Sequence, residues 1–139
     1  MSLELHAFLQ TSAFPTRSEW QSAIDRLALP LRLAPELDPA TDTGFSPCQL
    51  GDRSAGFELF RDSVQELASS YPAIRGLVEP GSVVLSFRWS SELADCACAL
   101  GAAAALASQF GAAVYSPADD ILYQLEDLLA EFRGCLAAL

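Results

Sequence analysis

From Cys96 to Phe110 the chain carries seven alanines, one glycine and no charge. A helix over residues 91–110, stopped by Gly111, has almost no polar face and must be buried on most sides. Its small side chains also let neighbours approach closely, so it is expected to lie against a sheet. A helix of this kind needs other elements around it, which constrains the fold more than any other stretch. The run is too short and too weakly hydrophobic for a membrane span, and Asp95 sits at one end.

The remaining segments supply that surround. Leu3-Glu4-Leu5-His6 alternates and opens a strand. Thr16-Arg17-Ser18-Glu19 is a capping box, followed by Trp20, Ile24 and Leu27 at helical spacing up to Pro30. Leu31-Arg32-Leu33 reads as a second strand, and residues 35–47 as an acidic loop with three prolines. Cys48–Leu50 and Ala55–Arg61 flank the turn at Gly51-Asp52-Arg53-Ser54 and form a hairpin. Ser63-Val64-Gln65-Glu66 is a second capping box, leading a helix that ends before Pro72. After a Pro80-Gly81 turn, Ser82–Trp89 has apolar residues on both faces and reads as a central strand. Ala112–Tyr115 is a further strand. Residues 116–124 fit a helix start with Pro117 first, or equally a turn into Ile121-Leu122-Tyr123. Leu125, Leu128, Leu129, Phe132 and Leu136 mark a terminal helix. The order is β-α-β-β-β-α-β-α-β-α. It predicts one α/β (α+β) domain over residues 1–139, with a mixed sheet of about five strands and about four helices in two or three layers.

Charge narrows the function. Eight basic residues, all Arg, stand against eighteen acidic ones, for a formal net charge of −10. With no Lys and one His, chemistry based on a P-loop, Schiff-base or kinase lysine is excluded, as is a two-histidine zinc site. Nucleic acid and anionic membrane are disfavoured as partners, because both call for positive charge. Disorder is also disfavoured: 51% of residues are hydrophobic and only 19% charged. Met1-Ser2-Leu3-Glu4-Leu5-His6 has no basic region, apolar stretch or cleavage site, which points away from secretion and toward the cytoplasm. Cys48, Cys96, Cys98 and Cys135 are accordingly expected as free thiols; Cys96 and Cys98 point to different sides of one helix. No metal or cofactor is expected.

Two acidic patches stand out. Glu36, Asp38 and Asp42 lie in the proline-rich loop. Asp119, Asp120, Glu126, Asp127 and Glu131 put five acids within thirteen residues, relieved only by Arg133. Such runs are by default solvated faces; otherwise they are docking surfaces for a basic protein, with Phe45, Trp89 or Tyr123 as the apolar anchor. Glu58 and Arg88 each interrupt an apolar strand and would pair across the sheet if those strands are neighbours. His6, with no motif around it, reads as a strand-surface histidine rather than a catalytic base.

The stretch Ser86-Phe87-Arg88-Trp89-Ser90, the Ala-rich helix after it, Ala113-Val114-Tyr115-Ser116-Pro117 and the strand Gly56-Phe57-Glu58-Leu59-Phe60 resemble small acidic bacterial proteins of the toxin-immunity type. The resemblance implies a non-enzymatic cytoplasmic inhibitor that neutralises a basic toxin, and it carries over no binding residues. The competing expectations are a homo-oligomeric structural or adaptor protein, a homodimer being the simplest form, and a small-ligand binder or enzyme built on Glu58, Arg88 and His6.

Overall fold

The computed structural model describes residues 3–77, 79 and 81–139. Met1, Ser2 and the Pro80 of the expected turn lie outside them. Among the described residues seven strands form one sheet: β1 (Leu3–Gln10), β2 (Leu31–Leu33), β3 (Gly44–Leu50), β4 (Arg53–Asp62), β5 (Ser82–Trp89), β6 (Ala113–Ser116) and β7 (Ile121–Tyr123). Four helices accompany them: α1 (Arg17–Arg26), α2 (Val64–Ser70), α3 (Leu93–Gln109) and α4 (Leu125–Ala137). The α+β class is as expected. The sheet differs in having seven strands rather than about five, and every pairing is antiparallel rather than mixed.

The added strand β7 and the greater length of β3 have physical reasons. Residues 116–124 take the hairpin alternative: Tyr115 pairs with Leu122, and Asp120 adopts φ 52° at the turn, a left-handed conformation that Asp tolerates. β3 begins at Gly44, inside the expected loop, and runs through Pro47. Pro47 stands opposite Gly56 of β4, where a Cβ would come within 2.7 Å of the Phe45 ring and 2.5 Å of the Ser46 carbonyl. The missing side chain at Gly56 is what lets Phe45 lie across the pair.

The strand order is β2-β3-β4-β5-β1-β6-β7, with β5 at the centre as its two apolar faces require. On one side Leu5, Leu59, Leu85, Phe87 and Val114 meet α1, α3 and α4 in the main core. There α3 is buried from Ala97 to Leu106, as its alanines demand. On the other side Phe8, Val64, Ile74, Val84 and Tyr115 form a smaller core under α2 and the 3-10 turn Pro72–Leu77. The result is three layers, the third covering only part of its sheet face.

Local signals act as the sequence implies. Thr16 accepts from the Glu19 N–H, and Glu19 returns the bond to the Thr16 N–H. At α2 the Ser63 hydroxyl accepts from Glu66 N–H. The four cysteines are free. Burial, with Cys135 beside it, pushes the Cys96 thiol up to about 12, and Cys98 raises Cys48 further. No helix among the described residues is long and apolar enough to cross a membrane.

Candidate functional site

The two edges of the sheet are treated differently. At β2, the Gln21 amide donates to Leu31 O and accepts from Leu33 N–H, while Arg17 donates to Leu33 O and Ala34 O. Side chains from α1 thus occupy that edge in place of a further strand. Among the described residues, nothing occupies the outer edge of β7. Ile121 and Leu122 are exposed there, 46% and 42% accessible. Large apolar residues on an open edge mark a place where another chain can add.

The second acidic patch gathers around that edge. Asp119 and Asp120 form the turn before β7, and Glu126, Asp127 and Glu131 lie on α4 just after it. The Tyr123 hydroxyl is within hydrogen-bonding distance of both Asp119 (3.4 Å) and Glu131 (3.1 Å), so it links the turn to the helix. Asp127 accepts from the Gln124 N–H at the start of α4, where helix geometry favours negative charge. Asp120 accepts from the Tyr115 hydroxyl. Burial and the neighbouring carboxylates hold both phenols above their ordinary range, Tyr115 at about 12. None of the five acids forms an ion pair among the described residues.

The first patch behaves otherwise. Asp38 accepts from Ala40 N–H and the Thr41 hydroxyl, and Asp42 accepts from Asp38 N–H. These acids shape their own loop, which Arg61 clamps through Pro39 O and Asp42 O; Glu36 has no such bond among the described residues. That loop leads into β3, while the second patch adjoins β7. Five strand spacings, about 24 Å, separate the two strands, so the patches do not form one surface.

Glu58 and Arg88 do stand directly opposite each other on neighbouring strands. The ion pair forms elsewhere: Arg88 Nε lies 3.2 Å from Glu4 Oε2, and its guanidinium stacks 4.8 Å from the Phe60 ring centroid. Register brings Glu4 opposite Arg88 from the other side, and no ion pair joins Glu58 to Arg88 among the described residues. Of the three expected anchors only Phe45 is well exposed; Trp89 is buried and Tyr123 half-buried.

His6 is not on the surface. It is 1% accessible, beneath α2 and beside Tyr71. Its Nδ1 lies 2.7 Å from Ser86 Oγ, and Ser86 Oγ lies 2.6 Å from Asp62 Oδ2. An ionised carboxylate only accepts, so the single Ser86 proton goes to Asp62 and Nδ1 must donate to Ser86. That fixes the neutral tautomer, with a lone pair on Nε2. Burial lowers the His6 pKa, outweighing the pull of Glu4 and Asp62, and Arg88 lowers it further. The trio is not a serine-nucleophile triad: Ser86 is fully buried, and its proton points to the acid rather than to the imidazole.

The cavity beside this network holds about 230 Å³ and is lined by Glu4, His6, Asp62, Glu66, Tyr71 and Arg88. Apart from His6 and Arg88, none of these was singled out by the sequence. The available signal was parity: Glu4 and His6 alternate on one face of β1, as Ser86 and Arg88 do on β5. The pairing that brings the four together was not readable.

Burial of a neutral His6 has a pH consequence. Its folded pKa is below the unfolded value of about 6.5, so the unfolded chain binds more protons just under that pH. Its contribution to stability is therefore present above pH 6.5 and lost as pH falls through the folded value. The groups facing it are Glu4 on β1, Asp62 on β4, Glu66 on α2, Tyr71 after α2, Arg88 on β5 and Tyr115 on β6. Denaturant melts between pH 7 and 5 should show a slope of up to about 1.4 kcal/mol per pH unit that His6→Gln removes. Equal slopes in both proteins would show that His6 is not the group responsible.

No protein-family model matches this chain, and no curated protein or solved structure does either.

Proposed function

We propose that the protein is a non-catalytic binding protein of the immunity type, acting in the cytoplasm on a basic protein partner. The observation that carries this reading is the contrast between the two sheet edges. The β2 edge is occupied by Gln21 and Arg17, whereas the β7 edge is free among the described residues and is flanked by five unneutralised acids. A basic extended segment of the partner adds to β7 by main-chain hydrogen bonds, with Ile121 and Leu122 as apolar contacts. The acidic rim speeds encounter and rejects acidic competitors. The same rim disfavours a homodimer through β7, since two copies would bring like charges together.

The test is co-expression with the product of the adjacent gene, followed by titration calorimetry of the purified pair. Expected are relief of that product's toxicity and an affinity that weakens as salt rises from low to physiological. Asp119→Asn with Glu131→Gln should weaken binding by about 10-fold or more, chiefly through slower association, on the scale of one or two rim charges. Glu36→Gln, at the other patch, should leave it unchanged. A neighbouring product that neither harms cells nor binds would sink the proposal, as would a tight complex indifferent to the β7 charges.

A further inference from the structure

We infer that the cavity between the sheet and α2 is a subsite for a cationic nitrogen that donates hydrogen bonds, an alkylammonium or guanidinium group. The inference goes beyond the basic-partner reading and does not depend on the β7 edge. It starts from the fixed tautomer. With Nδ1 donating to Ser86, Nε2 of His6 presents a lone pair, and it is buried with no hydrogen-bond partner among the described residues. Glu4 Oε1 stands 4.0 Å away and is also an acceptor. Two acceptors face each other with no hydrogen between them, an arrangement that is unfavourable until a donor enters.

The spacing suits one nitrogen. A donor at ~2.9 Å from both atoms would subtend ~87° at itself, within reach of two hydrogens of a single ammonium. Water has two hydrogens as well, so charge decides between them. Glu4, Asp62 and Glu66 line the cavity against one Arg88, leaving a formal charge of −2 beside a neutral imidazole. The Tyr71 ring adds an aromatic wall suited to a cation. About 230 Å³ admits a short alkylammonium chain. Arg88 is the gate: its guanidinium already pairs with Glu4 Oε2 at 3.2 Å, and its side chain is exposed enough to swing aside. The site thus already holds one cationic donor at its rim; Nε2 is closed to solvent in this arrangement, so the incoming donor reaches the inner position only when Arg88 swings out.

Because His6 is the sole histidine of this chain, its imidazole nitrogens give an unambiguous NMR signal. At pH 7.5 and constant ionic strength, n-butylammonium chloride should shift the Nε2 resonance saturably. Sodium chloride and tetramethylammonium, which lacks an N–H, should not. Glu4→Gln should weaken the effect by about 10-fold, the scale of one charge-assisted hydrogen bond. Arg88→Gln should strengthen it by about 3- to 10-fold by removing the resident competitor, a gain that loss of structure would not produce. Circular dichroism melts check that both variants fold. A second arm compares acetyl-Gly-Lys-Gly-amide with its Gln counterpart. A response to the Lys peptide assigns the subsite to a partner's side chain, whereas a response to the free amine alone assigns it to a small-molecule amine. A shift that never saturates, an equal response to tetramethylammonium, or an Nε2–H tautomer in the free protein would overturn the inference.

Discussion

Trp20→Ala should lower folding stability by about 3–5 kcal/mol, the usual range for a buried aromatic truncated to alanine. In a domain of this size that corresponds to a fall of about 10–20 °C in thermal midpoint. Trp20 is completely buried, and its ring meets Phe87 of the central strand edge-on at 6.1 Å. Its indole N–H also donates to Ala102 O of α3, at 3.0 Å. One side chain therefore ties α1, the sheet and the alanine helix together. Trp20→Phe separates the contributions: it keeps most of the ring packing and loses the hydrogen bond, for an expected cost of about 1–2 kcal/mol. A Trp20→Ala protein that melts within a few degrees of the original would mean the core closes the cavity by moving α1, and that α3 is not held in place by this residue.

The same tie shows why much of the fold was legible. Trp20, Ile24 and the Thr16 capping box are local signals, and a helix without a polar face has to be covered by something. The class, the order of the longer elements and the central place of β5 follow from such one-segment features. What escaped was everything set by pairing. Residues 116–124 admitted a helix or a hairpin because β7 has only three residues of its own, and its pairing with β6 decides between them. The start of β3 was hidden by Pro47, which has no N–H to give a ladder and in sequence reads as part of a loop. Arg88 faces both Glu58 and Glu4 across the sheet, and the sequence offers no way to tell which it will choose. His6 looked like a surface residue because nothing near it in sequence reveals Ser86, 80 positions on, as its hydrogen-bond partner. Both patches exist and neither forms an ion pair among the described residues, but Asp38 and Asp42 are consumed by their own loop, whereas the C-terminal group lies beside an open edge.

Gly101 joins the core to that edge, and substitution there should follow a steep size dependence. A Cβ at Gly101 would lie 2.9 Å from Phe132 Cε1 and 3.0 Å from Leu31 Cδ2. Replacing a helical glycine by alanine ordinarily gains about 1 kcal/mol. Overpacking of this kind typically loses about 1–3 kcal/mol, so Gly101→Ala should be neutral to about 2 kcal/mol destabilising. Gly101→Leu cannot be absorbed by small shifts and should lose about 3 kcal/mol or more in urea unfolding. The ring it displaces belongs to α4 and directly follows Glu131, the acid that meets Tyr123 at the rim of β7. Pushing Phe132 outward therefore moves Glu131 off Tyr123, and Gly101→Leu should weaken binding of the proposed basic partner even where the protein remains folded. Phe132→Leu in the Gly101→Ala background makes room for the added methyl and should recover part of the loss. A Gly101→Ala protein that gains the full helix-propensity increment would show that close packing of α3 against α4 is not what requires glycine there, and that the acidic rim does not depend on it.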